Sequence, residues 1–245
     1  MGKFTHSIFG LGNPLLDIST KVEEDFLKKY HAEASLGTAI LASKEQLPLY
    51  EDLVETYKDT VSYVAGGATQ NSIRVAQWMM PEEDATVFTG CIGDDDNGAI
   101  LTKRLENDNV VANYKVQKDV ATGTCAVCVV KKERALIANI SAAENFSLSF
   151  LKNDTRTVKY LAEANVVYSC AFVLTAYPDS MLYLAQYCTK NDKVFAMNLS
   201  AIFLIKFFTE KLLAVLPFAD FIFANEEEAA ALGETFKYDV HLFFF

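Results

Sequence analysis

Apolar and polar positions alternate along the chain in two rhythms. Short runs that are wholly apolar, or apolar at every second residue, predict strands; runs with apolar residues three and four apart predict helices. HSIFGLGN predicts a first strand and LLDISTKV a second, offset from it by a turn at Asn13-Pro14. KEQLPLYEDLVETY has helical spacing, VSYVAGG reads as a strand, and ATQNSIRVAQWMM as a helix with Ile73, Ala76 and Gln77 roughly a turn apart. ATVFTGCIG (strand) and NGAILTKRLENDN (helix) follow. From NYKVQ through TCAVCVVKKERALIANI the pattern is β-rich, with Lys132-Glu133 as its hairpin turn. The alternation then returns with strand NVVYSCAF, helix SMLYLAQYCTK, strand KVFAMNLS, helix IFLIKFFTEKLLAVL, strand DFIFAN and helix EEEAAALGE. This order predicts an α/β domain with a mostly parallel sheet, helices on both faces and a β-rich insertion. In such sheets ligands gather at the carboxyl ends of the strands.

Composition narrows the partners. The 245 residues suit one large domain, and no repeat or Pro/Gly/Ser linker divides them. A net charge of −10 opposes binding to phosphate backbones, so no nucleic-acid partner is expected. No apolar run approaches the roughly 18 residues of a spanning helix, and the richest, 214–224, is broken by Pro217 and Asp220. No membrane partner is expected either. The start MGKFTHSIFGLGN lacks a secretory pattern. Five cysteines, an odd count, fit free thiols in a reducing compartment, so the expected location is the cytoplasm, with the nucleus also open. Cys125 and Cys128 form a C-x-x-C, but three residues apart on a strand they face opposite ways and make no metal or redox pair.

Four stretches carry candidate chemistry. Gly66-Gly67 in AGGATQN ends a strand and opens a helix, which serves either a tight turn or the close approach of a ligand to free amides. Asn13 and Asp17 follow the first strand, where the pair makes either a turn with a capping carboxylate or a holder for a vicinal diol. GCIGDDDNGAIL places an Asp beside a helix start. Asn225 and Glu228, one helical turn apart after the last strand, suit the helix electrostatically or hold magnesium through water.

The order of these stretches carries a resemblance. GLGNPLLD, YVAGGATQNSIRVAQWM, TGCIGDDDNGAIL, GTCAVCVVKKERALIANISAA, NLSAIF and FANEEEAAAL resemble the ribokinase-like (phosphofructokinase B type) carbohydrate and nucleoside kinases, and among them the adenosine kinases. The likeness runs from around Ile8 to around Gly233. It implies a ribokinase-like three-layer αβα sandwich with a small β-rich lid. The chain 1–245 would be one incomplete domain, with lid elements at approximately 15–38 and 111–141 inserted in it. It implies ATP-dependent phosphorylation of the adenosine 5′-hydroxyl to AMP, a purine-salvage step, with Mg2+ as cofactor and a monomeric enzyme. Asn13 and Asp17 would bind the ribose hydroxyls, with Gly66, Gly67 and Asn71 beside them. Arg134 would reach toward phosphate; Cys125, Leu136 and Ala138 would line the purine pocket; Phe172 and Phe203 would flank the adenine. Asn225 and Glu228 match an Asn-x-x-Glu motif that organises magnesium and phosphate indirectly.

Two departures stand out. Ile202 occupies the place of a usual Pro in NLSAIF. The family's second signature, Asp-Thr-Asn-Gly-Ala-Gly-Asp, which supplies the general base and an anion hole, does not occur; Asn97-Gly98-Ala99 is followed by Ile100-Leu101 instead. The expectation is therefore a chain truncated at its C-terminus, with the nucleoside-binding half present, the catalytic Asp and most of the ATP site missing, and little or no activity of its own. A sheet stopped after DFIFAN would leave an unpaired edge. The likeness fades over KYDVHLFFF. A non-catalytic nucleoside-binding fragment and a related sugar or nucleoside kinase are the alternatives.

Overall fold

Alternate side chains of the run IFGL point to opposite faces, and a different helical layer meets each. A computed structural model describes residues 5–237; the closing stretch 238–245, where the likeness fades, lies outside the described residues. The strands are β1 (Ile8–Leu11), β2 (Leu15–Lys21), β3 (Ala39–Leu41), β4 (Ser62–Gly66), β5 (Thr86–Gly93), β6 (Val111–Gln117), β7 (Thr124–Val130), β8 (Glu133–Asn139), β9 (Val166–Cys170), β10 (Val194–Asn198) and β11 (Phe221–Phe223). The helices are α1 (Glu24–Lys29), α2 (Pro48–Thr56), α3 (Ala68–Met79), α4 (Asp96–Asn107), α5 (Leu148–Asn153), α6 (Thr155–Glu163), α7 (Pro178–Lys190), α8 (Ile202–Phe207), α9 (Thr209–Val215) and α10 (Glu226–Phe236).

Six strands form a parallel sheet in the order β11-β10-β9-β1-β5-β6. Phe9 and Leu11 of β1 and Val87 of β5 join Met181 and Leu184 of α7 and Leu204 of α8 in the main core on one face. On the other face Phe88 and Ile8 pack with Ile73 of α3 and Leu105 of α4. Gly10 lets α3 lie directly on β1: a Cβ there would stand 2.4 Å from Ile73 Cγ1. The result is the three-layer ribokinase-like sandwich.

A second, mixed sheet runs β3-β8-β7-β2-β4. Ile18, Ala126, Cys128 and Ile137 face Phe26 of α1 and Leu49 and Leu53 of α2, forming a separate core. The opposite face of this sheet carries the candidate site.

The structure departs from the sequence expectation in four places. NYKVQ, grouped there with the lid at 111–141, forms β6 and pairs with β5 over seven residues in the large sheet. The twelve-residue α4 is a crossover that returns the chain parallel to β5, which a hairpin connection does not do. The small sheet instead recruits β3 and β4, both beyond the expected 15–38 segment. The β7–β8 turn is Lys131-Lys132, with Lys131 at φ 55° and Val130 paired to Glu133, one residue earlier than expected. The single helix expected over IFLIKFFTEKLLAVL divides at Phe208. There Thr209 Oγ1 donates to the Ile205 carbonyl, a local bond that competes with a regular ladder.

Among the described residues β11 pairs with β10 alone, and Phe221, Ile222 and Phe223 are 58%, 44% and 51% exposed. No helix among them is long and apolar enough to cross a membrane.

Candidate functional site

Strand register assembles one wall of the site. Asp17 lies opposite Val64 and Cys125, Cys125 opposite Ala138, and Ala138 opposite Leu41, so one row crosses all five strands of the small sheet. The next row holds Ser19, Val127, Leu136 and Ala39. Period-two alternation puts Leu15, Asp17, Cys125, Arg134, Leu136 and Ala138 on the face that lines a cavity of about 270 Å³.

The facing wall comes from the large sheet. Gly67, Ala68 and Asn71 begin α3; Cys170 ends β9 and Phe172 follows it; Phe203 sits in α8; Asn13 lies on the link from β1 to β2. Gly67 and Ala68 follow β4, Asn13 follows β1 and Phe172 follows β9 within two residues; Asn71 lies one turn into α3, and Phe203 follows β10 by one short loop. Grooves of about 680 and 620 Å³ elsewhere are open surface troughs, one along α3 and α4, the other beside α1.

The polar end is built tightly. Gly66 does not line the cavity but makes room for it: a Cβ there would fall 2.1 Å from Asp17 Oδ1. Burial pushes the Asp17 carboxyl up to about 6, against a pull in the other direction from the Arg134 charge. Gly67 has φ 96°, and a Cβ there would stand 2.3 Å from the Asn13 carbonyl oxygen. The Asn13 side chain accepts from the Tyr177 hydroxyl at 2.6 Å. Gln70 ties the turn by donating to the Gly66 carbonyl at 2.8 Å, and Asn71 Oδ1 accepts from Arg74 at 3.0 Å. Arg134, exposed at the rim, forms no salt bridge among the described residues.

The rest of the cavity is apolar. Cys125 is 5% exposed, and burial, with the Asp17 charge nearby, holds its thiol protonated. Cys128 faces the opposite core, where burial pushes its thiol up to about 12. Phe172 and Phe203 both line the cavity, but their ring centroids are 6.2 Å apart at 48°. Two tilted rings in mutual contact form one wall. They leave no slot for a planar group between parallel faces, contrary to the expected flanking arrangement.

Asn225 and Glu228 lie outside this cavity and satisfy each other. Asn225 Oδ1 accepts from the Glu228 amide at 2.8 Å, and Glu228 Oε2 accepts from the Asn225 amide at 3.2 Å, a capping box at the start of α10. Among the described residues no group of three or more His, Cys, Asp or Glu is placed to hold a metal. This pair, each member already accepting a backbone amide in the cap, is not a metal centre by itself. The Asp94–Asp96 echo is structural too: Asp95 caps α4 by accepting from the Gly98 amide at 2.8 Å and also accepts from the Thr122 amide and hydroxyl.

Sequence reasoning missed Leu15, Ala39, Ile40, Leu41, Ile140 and Cys170. Counting back by two from Asp17 reaches Leu15, and Cys170 ends a parallel strand; both signals were present. The three residues of β3 are too few for a period to show.

The fold has solved relatives. The model of the pfkB family of carbohydrate kinases matches residues 35–239. Adenosine kinase of Dictyostelium discoideum is 43% identical over 223 residues, covering 91% of this chain and 64% of the relative. A crystal structure of Anopheles gambiae adenosine kinase in complex with P1,P4-di(adenosine-5) tetraphosphate superposes with TM-score 0.91 at 38% identity, over 97% of this chain and 70% of that one. Adenosine kinase from Schistosoma mansoni in complex with adenosine gives 0.88 at 29% identity, over 95% and 66%. The chain thus spans 64% of the length of its Dictyostelium relative. On the family match and the shared fold, this chain belongs to the pfkB family of carbohydrate kinases.

Proposed function

We propose that the cavity binds adenosine, and that the chain carries the nucleoside-binding part of an adenosine kinase, the enzyme that moves the γ-phosphoryl group of ATP to the adenosine 5′-hydroxyl. The observation that carries this reading is the row in which the Asp17 carboxylate stands beside the apolar Cys125, with Ala138 next along the same row. A carboxylate accepts from sugar hydroxyls, and an apolar strip with an aromatic wall suits a base rather than a second sugar. A plain sugar would leave that strip without a partner.

In this reading Asn13 and Asp17 hold the ribose, with Gly67 and Asn71 beside them and Gly66 giving Asp17 its space. Cys125, Leu136 and Ala138 contact the base, and Phe172 and Phe203 form a wall against one side of it. Arg134, at the rim and without an ion pair among the described residues, is the group available to a phosphate. The small sheet with α1 and α2 serves as the lid. ATP is the phosphoryl donor and Mg2+ its ion; Asn225 and Glu228 would meet that ion through water. No Gly-Ala-Gly-Asp occurs in these 245 residues, so binding is assigned to them and proton abstraction is not. Five free, buried cysteines fit a cytoplasmic location, and a monomer is the simplest assembly.

Calorimetry on this chain with adenosine, ribose and guanosine tests the reading, with an ATP-coupled assay beside it. Adenosine should bind more tightly than the other two, without AMP formation at a normal kinase rate. Equal or absent binding of adenosine would sink the binding assignment. Rapid AMP formation would sink the claim that these residues lack a general base.

A further inference from the structure

We propose that Tyr177 is a positioning residue that fixes the polarity of the sugar end of the cavity by locking the Asn13 amide in one orientation. The proposal rests on the nucleoside reading for its ligand, but its geometry stands without it. Tyr177 precedes Pro178 and has φ −139° and ψ 62°, outside the helical region, as a residue before proline prefers. This turn directs its ring inward, where it is 6% exposed and packs on Phe146 with centroids 5.0 Å apart. Its hydroxyl reaches Asn13 Oδ1 at 2.6 Å and has no other acceptor among the described residues.

An asparagine amide has one oxygen that accepts and one nitrogen that donates. With the oxygen held by Tyr177, the nitrogen is left for the cavity that Asn13 lines; Nδ2 has no partner among the described residues. Turning the amide over would force Tyr177 to accept and leave its buried hydroxyl proton without a partner. Burial raises the phenol well above its ordinary value, so it remains a donor throughout the working pH range. With the amide held this way, Asn13 presents a donor to the cavity and Asp17 an acceptor. Neighbouring hydroxyls, each able to accept and donate, satisfy both; a ligand with two acceptors or two donors there does not.

The experiment is a double-mutant cycle on this chain. Tyr177→Phe should weaken adenosine about tenfold, the worth of one polar contact, and shrink the preference for adenosine over its 2′- or 3′-deoxy analogue. In an Asn13→Ala background Tyr177→Phe should add nothing. A separate loss in that background, or lower affinity with the deoxy preference unchanged, would show a general packing role and overturn the proposal. Should Tyr177→Phe fail to fold, Asn13→Asp reads the same relationship: an acceptor replaces the cavity-facing donor, and affinity should fall further than in Asn13→Ala. An equal or smaller fall counts against it.

If the wild-type chain binds no adenosine, the nucleoside reading fails while the orientation remains measurable. The Asn13 side-chain amide should give one sharp NMR pair that shifts or broadens in Tyr177→Phe. An unchanged pair would overturn the lock.

Discussion

The Asp17 carboxyl fills the space that a side chain on Gly66 would need: a Cβ at residue 66 would lie 2.1 Å from Asp17 Oδ1. Gly66 has an ordinary negative φ, so its value lies in absent atoms rather than in backbone freedom. Gly66→Ala should leave the fold intact, because the carboxyl end of Asp17 can swing aside. On the proposed reading adenosine affinity should drop by at least about tenfold, since a charge-assisted contact is displaced. Calorimetry paired with circular dichroism checks both halves.

Asp17 should trade stability for binding. Its folded carboxyl, at about 6, lies above its ordinary 3.8, chiefly through burial. The folded state therefore takes up this proton more readily than the unfolded one, and stability contributed here falls as pH rises from about 4 to above 6. Asp17→Asn should stabilise the unliganded protein by roughly 2 kcal/mol at pH 7.5, discounting for partial exposure, and by nothing near pH 4. It should also weaken adenosine strongly, and wild-type affinity should decline as pH drops below about 6. Denaturant unfolding at several pH values, beside binding titrations, gives the comparison.

Asn225→Ala removes one half of the box that closes α10 and should lower stability by about 1 kcal/mol. Because the pair stands outside the cavity, adenosine affinity should not change. A thermal melt and one binding isotherm decide this.

The thiols should be quiet. All five are buried, and Cys125 and Cys128 open toward different sides of the small sheet. A thiol reagent should react slowly with the native protein and with all five cysteines once it is unfolded. Adenosine should slow labelling of Cys125 by covering it, and of Cys128 only as far as it holds the small core closed.

Much of this arrangement is legible in the sequence because a strand has a strict period. Cys125, Leu136 and Ala138 came from family likeness; alternation within β8 puts Leu136 and Ala138 on one side, and the pairing of β7 with β2 and β8 puts Cys125 there with Asp17. The Gly66-Gly67 turn and Asn13 follow from the position of ligands at strand ends. Phe172 and Phe203 came from family likeness, and their tilt does not: ring orientation depends on packing between the turn Ala171–Thr175 and α8 side chains that no local pattern encodes. β3 carries three residues and exists through pairing with β8, so its signal is tertiary. NYKVQ reads the same in either sheet, and only the α4 crossover assigns it. Tyr177 looks like ordinary core until Asn13, 164 residues away in sequence, arrives at its hydroxyl.

The cavity takes one wall from each sheet, and each sheet has its own core. Two cores joined across a gap need not open together: the small one can unfold locally while the large one persists. A molecule that touches both walls is lost whenever either opens, so its binding free energy is added to both events at once. Amide exchange at Ala126 and Ile137, deep in the small core, would then slow in step with ligand concentration. At saturation the two halves would exchange as a single cooperative unit.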